Sequence, residues 1–141
     1  MEALSNFLKD DVGISSPYIV KNGSGLNPDN RFSASQIVKI LDFSFRNFTI
    51  FPEILASLPI SGLDGTLKDR FEKFPITVRA KTGTLTEPIT VSTIAGYIFH
   101  PKHHFVAFAV LANGNNRYPN ANLIQLRYDQ EQHLLKIYNK L

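Results

Sequence analysis

The chain contains no cysteine. That absence removes disulfides, thiolate zinc centres and a cysteine nucleophile from consideration, while fitting any redox compartment. No stretch stays apolar for the roughly eighteen residues that a membrane span requires, so no spanning segment is expected. The N-terminal MEALSNFLKDD is acidic and lacks the basic start and apolar middle of a signal peptide, so the chain as given carries no targeting address. The fifteen Lys and Arg residues are scattered from Lys9 to Lys140 without a run, and the formal net charge is only +3. Partners of the nucleic-acid or membrane-surface kind are therefore not expected.

What is present is ordinary globular composition at one domain's length: 141 residues, 43% hydrophobic and 19% charged, enough to bury one core. Glu2 to Leu8 reads as the end of an amphipathic helix with Leu4, Phe7 and Leu8 on one face, and Gly13 marks a reversal after it. Tyr18 to Val20 predicts a short strand, followed by a turn at Asn22-Gly23 and Gly25 where positive backbone dihedrals suit such residues. Ser33 and Gln36 have the spacing of a capping box, and Ile37, Ile40, Leu41 and Phe45 follow at helical intervals. Pro52 suits the first turn of a short helix over Glu53 to Leu58, and Asp64 suits the cap of a third helix in GTLKDRF.

From Ile76 the period changes to two, with Ile76, Val78 and Ala80 on one face and Thr77, Arg79 and Lys81 on the other, so a strand begins there. The two apolar runs of TVSTIAGYIFHPKHHFVAFAVLAN, joined at Pro101, predict an antiparallel hairpin. Its second arm, Phe105 to Ala112, is apolar on both faces and is expected to be a central strand covered on both sides. A terminal helix follows, with Leu123, Leu126, Leu134, Ile137 and Leu141 as its expected buried side. No internal repeat or low-complexity linker interrupts the chain. The fold class is mixed α/β (α+β), an antiparallel sheet of three strands flanked by helices.

His100, His103 and His104 raise a metal site. They surround Pro101 at the tip of the hairpin, where polar side chains belong anyway, and no carboxylate stands nearby in sequence to complete a ligand set. No metal or cofactor is expected. NGSGL lacks the spacing and the Lys-Ser/Thr of a phosphate loop and reads as a turn. The eleven Phe and five Tyr lie at core spacing and read as core. The exception is the polar row Lys81-Thr82-Gly83-Thr84 in an otherwise apolar strand. A Lys-Thr-Gly element is the third motif of class A β-lactamases and penicillin-binding proteins, after a Ser-x-x-Lys nucleophile and a Ser-Asp-Asn element. The tripeptide alone arises by chance, but here a hairpin and a helix follow it. The stretches NGSGLNPDNRFSASQIVKIL and LPISGLDGTLKDRF precede it.

In this order the segments resemble the C-terminal part of the low-molecular-mass class C penicillin-binding proteins, the DacB-like serine D-alanyl-D-alanine carboxypeptidases and endopeptidases. The resemblance covers nearly the whole chain. It implies that residues 1–141 are the C-terminal part of one D,D-peptidase domain of the penicillin-binding and β-lactamase type, bearing the KTG strand, the hairpin and the terminal helix. It also implies acyl-enzyme chemistry on peptidoglycan stem peptides ending in D-Ala-D-Ala, β-lactams as ligands, and a periplasmic location. Lys81, Thr82 and Gly83 match the catalytic motif, with Thr84 and Leu85 as substrate-binding neighbours. In that setting the Lys81 ammonium and Thr82 hydroxyl hold a carboxylate, Thr84 offers strand backbone to an extended peptide, and Gly83 lets that backbone be approached closely. One departure is Asn22, where members of the family commonly carry Asp, which puts any carboxylate role at position 22 in doubt.

The family's other motifs are not found. No serine is followed by lysine three residues on or by asparagine two residues on. Tyr118-Pro119-Asn120 resembles the tyrosine form of the second motif, but it falls after the strand pair and reads as a loop coincidence. The expectation is a C-terminal fragment with an added Met1, inactive by itself. Two other readings stay open: a non-catalytic ligand-binding module that kept the carboxylate-recognising strand, and a structural α/β domain in which KTG is accidental. In proteins of the resembling family, a strand from the N-terminal part of the chain pairs with the one matching Phe105 to Ala112. Without it the piece is expected to self-associate through that edge, or by exchange of the helix Leu123 to Leu141.

Overall fold

The computed structural model describes residues 2–72, 77–114 and 121–141. Ile76 and Tyr118-Pro119-Asn120 lie outside them. Strands β1 (Thr77–Leu85), β2 (Val91–His100) and β3 (His104–Asn113) form one antiparallel sheet in the order β1-β2-β3. The register sets Ala80 opposite Gly96, Lys81 opposite Ala95 and Gly96 opposite Phe108. Because side chains alternate across a strand, Val78, Ala80, Ile94, Ile98 and Phe108 share a face and form the buried core with Leu67, Phe71 and Leu134. Gly96 is what lets the sheet close: a Cβ there would sit 2.1 Å from the Arg79 carbonyl oxygen and 2.6 Å from the Ala80 Cα, both backbone atoms that cannot move aside.

The opposite face carries Arg79, Tyr97 and Phe105 and is covered by helices α2 (Ala34–Arg46) and α3 (Phe51–Ser57), which follow α1 (Glu2–Asn6) in the chain. The Phe51 ring stands edge-on to Tyr97 and Phe105 at 5.3 and 5.4 Å, and the Tyr97 hydroxyl donates to the Leu41 carbonyl at 2.8 Å. Burial, opposed by a hydrogen bond with Ser44 and aided by the Asp42 charge, pushes the Tyr97 hydroxyl up to about 12. The capping box forms as its spacing predicts: Ser33 Oγ accepts from the Gln36 amide while Gln36 Oε1 accepts from the Ser33 amide. Pro52 stands in the first turn of α3.

Other expectations are corrected. The N-terminal helix runs on past Asn6 as a π-helical turn, Phe7–Asp11, before Gly13 reverses the chain at φ 73°. Tyr18 to Val20 is no strand; it makes a single bridge, Ile19 to Arg31. The Asn30 side chain accepts from the Lys21 and Asn22 amides at 2.7 and 3.4 Å, so the donors that a second rung would use are already satisfied. In the turn that follows, Gly25 has the positive φ and Gly23 does not. Asp64 caps no helix: its carboxylate turns back to the Ile60 amide at 2.6 Å, and the segment after it makes only a 3₁₀ turn, Gly65–Leu67, bounded by left-handed Gly62 and Gly65.

The arm at Phe105 to Ala112 is an edge strand, not a central one. Its faces meet α2 and helix α4 (Leu123–Tyr138), but β2 is its one backbone partner among the described residues. Along α4 the fully buried positions are Gln130 and Leu134, whereas Leu123 and Leu126 are half-buried and Leu141 lies beyond the helix, 37% exposed.

The hairpin histidines have a structural part to play. His100 is buried against Tyr138, and its Nδ1 accepts from the backbone amides of Lys102 and His103 at 3.2 and 3.3 Å. His103 Nε2 meets the Leu141 carbonyl at 2.7 Å, tying the hairpin tip to the chain end. Burial first, then the neighbouring His103 and Lys102 charges, hold His100 below the ordinary 6.5. The unfolded chain therefore takes up the proton first, and the stability linked to His100 is present above pH 6.5 and lost as the pH falls through the folded-state value. The melting temperature should drop below pH 6.5, and His100→Gln should flatten that drop. A second expectation concerns Gly96→Ala, which should cost about 2–3 kcal/mol in urea unfolding. Gly23→Ala, with no heavy atom within 4 Å of the new Cβ, should be close to neutral.

Candidate functional site

The outer edge of β1 is covered for half its length. The Ser61 amide donates to the Val78 carbonyl at 2.9 Å, the Val78 amide to Ser61 Oγ at 3.0 Å, and the Ala80 amide to the Pro59 carbonyl at 3.2 Å. Val78 and Ala80 thus turn their backbone groups away from β2, and by the two-residue period of a strand Thr82 and Thr84 do the same. Past Ala80, however, no backbone of the described residues answers them. The Thr82 carbonyl accepts instead from the Lys81 ammonium, at 2.6 Å.

Lys81, Thr82, Gly83, Thr84 and Leu85 all lie on β1, but not on one face. Thr82 and Thr84 line a cleft, the Thr82 hydroxyl donating to Thr66 Oγ1 at 2.8 Å. Lys81, Gly83 and Leu85 alternate onto the other face. The ammonium and the hydroxyl therefore flank the strand edge from its two sides, and Lys81 reaches that edge by folding onto the Thr82 carbonyl. At Gly83 a Cβ would lie 2.6 Å from Thr93 Oγ1, so a side chain there would force the Thr93 hydroxyl to turn away. Asn22 stands in the loop closed by Asn30, whose Nδ2 donates to the Asn22 carbonyl and Oδ1 at 3.2 and 3.3 Å.

The cleft has a volume of about 560 Å³. One wall is the segment Gly65, Thr66, Asp69 and Arg70; the other is α4, with Ile124, Arg127, Tyr128 and Glu131. Arg70 joins them. Its Nε donates to Glu131 at 2.7 Å and its Nη2 to the Arg127 carbonyl and to Gln130 Oε1, each at 3.2 Å. Gln130 in turn donates to the Ser92 carbonyl on β2 at 2.8 Å, and the Glu131 carboxylate also accepts from the Phe71 amide at 3.4 Å. Among the described residues every buried side-chain polar atom has a partner, and no group of His, Asp and Glu is placed to hold a metal ion.

Thr66, Arg70, Arg127, Gln130 and Glu131 are absent from the sequence reading, because they reach β1 from separate elements. One signal was available: Gln130 interrupts the apolar stripe of the terminal helix four residues before Leu134, and a polar side chain at a core position needs buried partners.

This arrangement of sheet, helices and cleft is the fold of a penicillin-binding protein fragment. Two crystal structures of penicillin binding protein 4 (dacB) from Haemophilus influenzae match it. One superposes with a TM-score of 0.70 at 22% identity over 95% of this chain and 30% of that one. The other, complexed with a novel β-lactam, superposes with a TM-score of 0.78 at 22% identity over 97% of this chain and 32% of that one. The chain thus spans about a third of the length of the structures it matches. No curated protein sequence matches it. The profile of the D-Ala-D-Ala carboxypeptidase 3 (S13) family matches residues 1–130, and the chain belongs to that family.

The Arg70 junction sets a stability expectation. The Arg70 and Glu131 side chains are only 10% and 17% exposed, so Arg70→Ala should cost about 3–5 kcal/mol in denaturant unfolding by leaving Glu131 buried and unpaired. Arg70→Met combined with Glu131→Leu should recover much of that loss.

Proposed function

We propose that these residues form the substrate-strand wall of a serine D-Ala-D-Ala carboxypeptidase or endopeptidase, the C-terminal part of one penicillin-binding domain acting on peptidoglycan stem peptides in the periplasm. The observation that carries this reading is the coincidence of the KTG row with the point where the β1 edge opens. An extended peptide laid along that edge pairs with the outward backbone of Thr82 and Thr84. Its terminal carboxylate meets the Thr82 hydroxyl and the Lys81 ammonium, which exchanges the Thr82 carbonyl for a full negative charge. Membership of the family supports the substrate class, and the β-lactam complex of the similar Haemophilus protein supports β-lactams as ligands. Among the described residues no helix is long and apolar enough to cross a membrane.

Acyl transfer also needs a hydroxyl nucleophile, a base and an oxyanion hole. No serine here has lysine three residues on, so in this reading those groups come from elsewhere in the whole protein and the 141 residues alone are inactive. A fluorescent penicillin should leave no covalent mark on the chain, and a stoichiometric adduct in its mass spectrum would overturn that assignment. In the whole protein, Lys81→Ala should slow acylation by about tenfold or more, with Lys81→Arg restoring only part of the rate, because the two cations present their donors differently. Among the described residues β3 pairs with β2 alone, and that second edge supports self-association of the isolated chain. Light scattering at micromolar concentration should then report a species larger than the 15.9 kDa monomer.

A further inference from the structure

Among the described residues two arginines face the cleft, and their situations differ. Arg70 is largely buried, and its Nε and Nη2 donors are taken up by Glu131, Gln130 and the Arg127 carbonyl. The Arg127 side chain is exposed and has no carboxylate partner among the described residues, whose ion pairs are Arg46 with Asp42 and Arg70 with Glu131. Its one side-chain hydrogen bond among the described residues is a long one, Nη2 to Thr84 Oγ1 at 3.5 Å. A guanidinium carries five N–H donors in a planar fork, and most of this one's remain to be used.

We propose that Arg127 is a second cation of the ligand site, taking the peptide's terminal carboxylate from the α4 side of the cleft; the inference rests on the reading of the β1 edge given above. Thr82 and Thr84 project onto the face that Arg127 overlooks, whereas Lys81 comes from the opposite face and must reach round the strand. A carboxylate resting on the two threonine hydroxyls therefore has Arg127 on its own side. The planar fork matches a carboxylate with two parallel hydrogen bonds, which an ammonium cannot offer. Asp69, on the facing wall, repels an anion toward the Arg127 end. The position is also held in advance: Arg70 fixes the Arg127 backbone through its carbonyl, so the guanidinium swings from a braced helix. Binding exchanges one long hydroxyl contact for a charge-assisted pair.

The test is an NMR titration of the chain with N-acetyl-D-Ala-D-Ala and with the same dipeptide as its C-terminal amide. The wild type should prefer the acid by about tenfold. Arg127→Gln should lose most of that preference and Arg127→Lys should regain part of it, while the melting temperature stays nearly unchanged, since the exposed side chain meets β1 only through the long bond to Thr84. A purely structural part for Arg127 would leave the acid-to-amide ratio alone. If the wild type discriminates and Arg127→Gln discriminates equally, the inference falls and the reading of the edge stands. If the wild type binds neither ligand, or binds both alike, that reading falls and the inference with it.

Discussion

The buried guanidinium of Arg70 is the constraint around which the rest is arranged. A charge taken out of water is costly unless every donor finds a partner. Here the partners of Nε and Nη2 are drawn from one helix: the Glu131 carboxylate, the Gln130 amide oxygen and the Arg127 carbonyl all belong to α4. Satisfying Arg70 therefore docks α4 against the segment after Gly65–Leu67. Gln130 passes the restraint to β2 through Ser92. The chain tolerates a left-handed Phe71, φ 63°, at this junction because its ring enters the core and its amide meets Glu131. Two walls fixed in this way leave a cleft between them, and the open part of β1 lies along it.

An open strand edge is a hazard, and proteins usually blunt it with charge or cover it. The β1 edge uses both means in sequence. Residues 59–61 cover it as far as Ala80, and from there a lysine folds over the Thr82 carbonyl. On the function proposed, the same lysine that guards the edge against unwanted pairing releases it to a ligand carrying negative charge. This gives Lys81 a physical reason to stand on this strand whether or not a ligand is bound, and it follows from alternation: an ammonium on one face and hydroxyls on the other bracket the backbone between them.

Features set by neighbours in sequence were legible in it. The Ser33 and Gln36 capping box and the hairpin at Pro101 rest on contacts a few residues apart, and the pattern carries them. The position of the arm at Phe105 to Ala112 was not legible, because hydrophobicity reports what covers the faces of a strand and says nothing of what pairs with its edges. Asp64 and the stretch at Tyr18 to Val20 misled through short polar side chains that bond the backbone locally: Asn30 takes the Lys21 amide that a second rung would have used, and Asp64 turns its carboxylate back to the Ile60 amide instead of forward to the first turn it was expected to cap. In the site, the row at Lys81 could be read directly from its contrast with the strand. Its surroundings could not, since Thr66, Arg70 and Arg127 become neighbours of β1 only through the docking of α4 and the 3₁₀ turn.

The central claim is that β1 past Ala80 offers a backbone edge to a peptide that ends in a carboxylate. Amide hydrogen exchange, resolved by residue along β1, tests it most directly. The alternation predicts slow exchange at Arg79, Lys81 and Gly83, which face β2, and fast exchange at Thr82 and Thr84. N-acetyl-D-Ala-D-Ala should slow Thr82 and Thr84 selectively. Protection of those two amides in the free chain, or no change in them at ligand concentrations that saturate binding, would contradict the account.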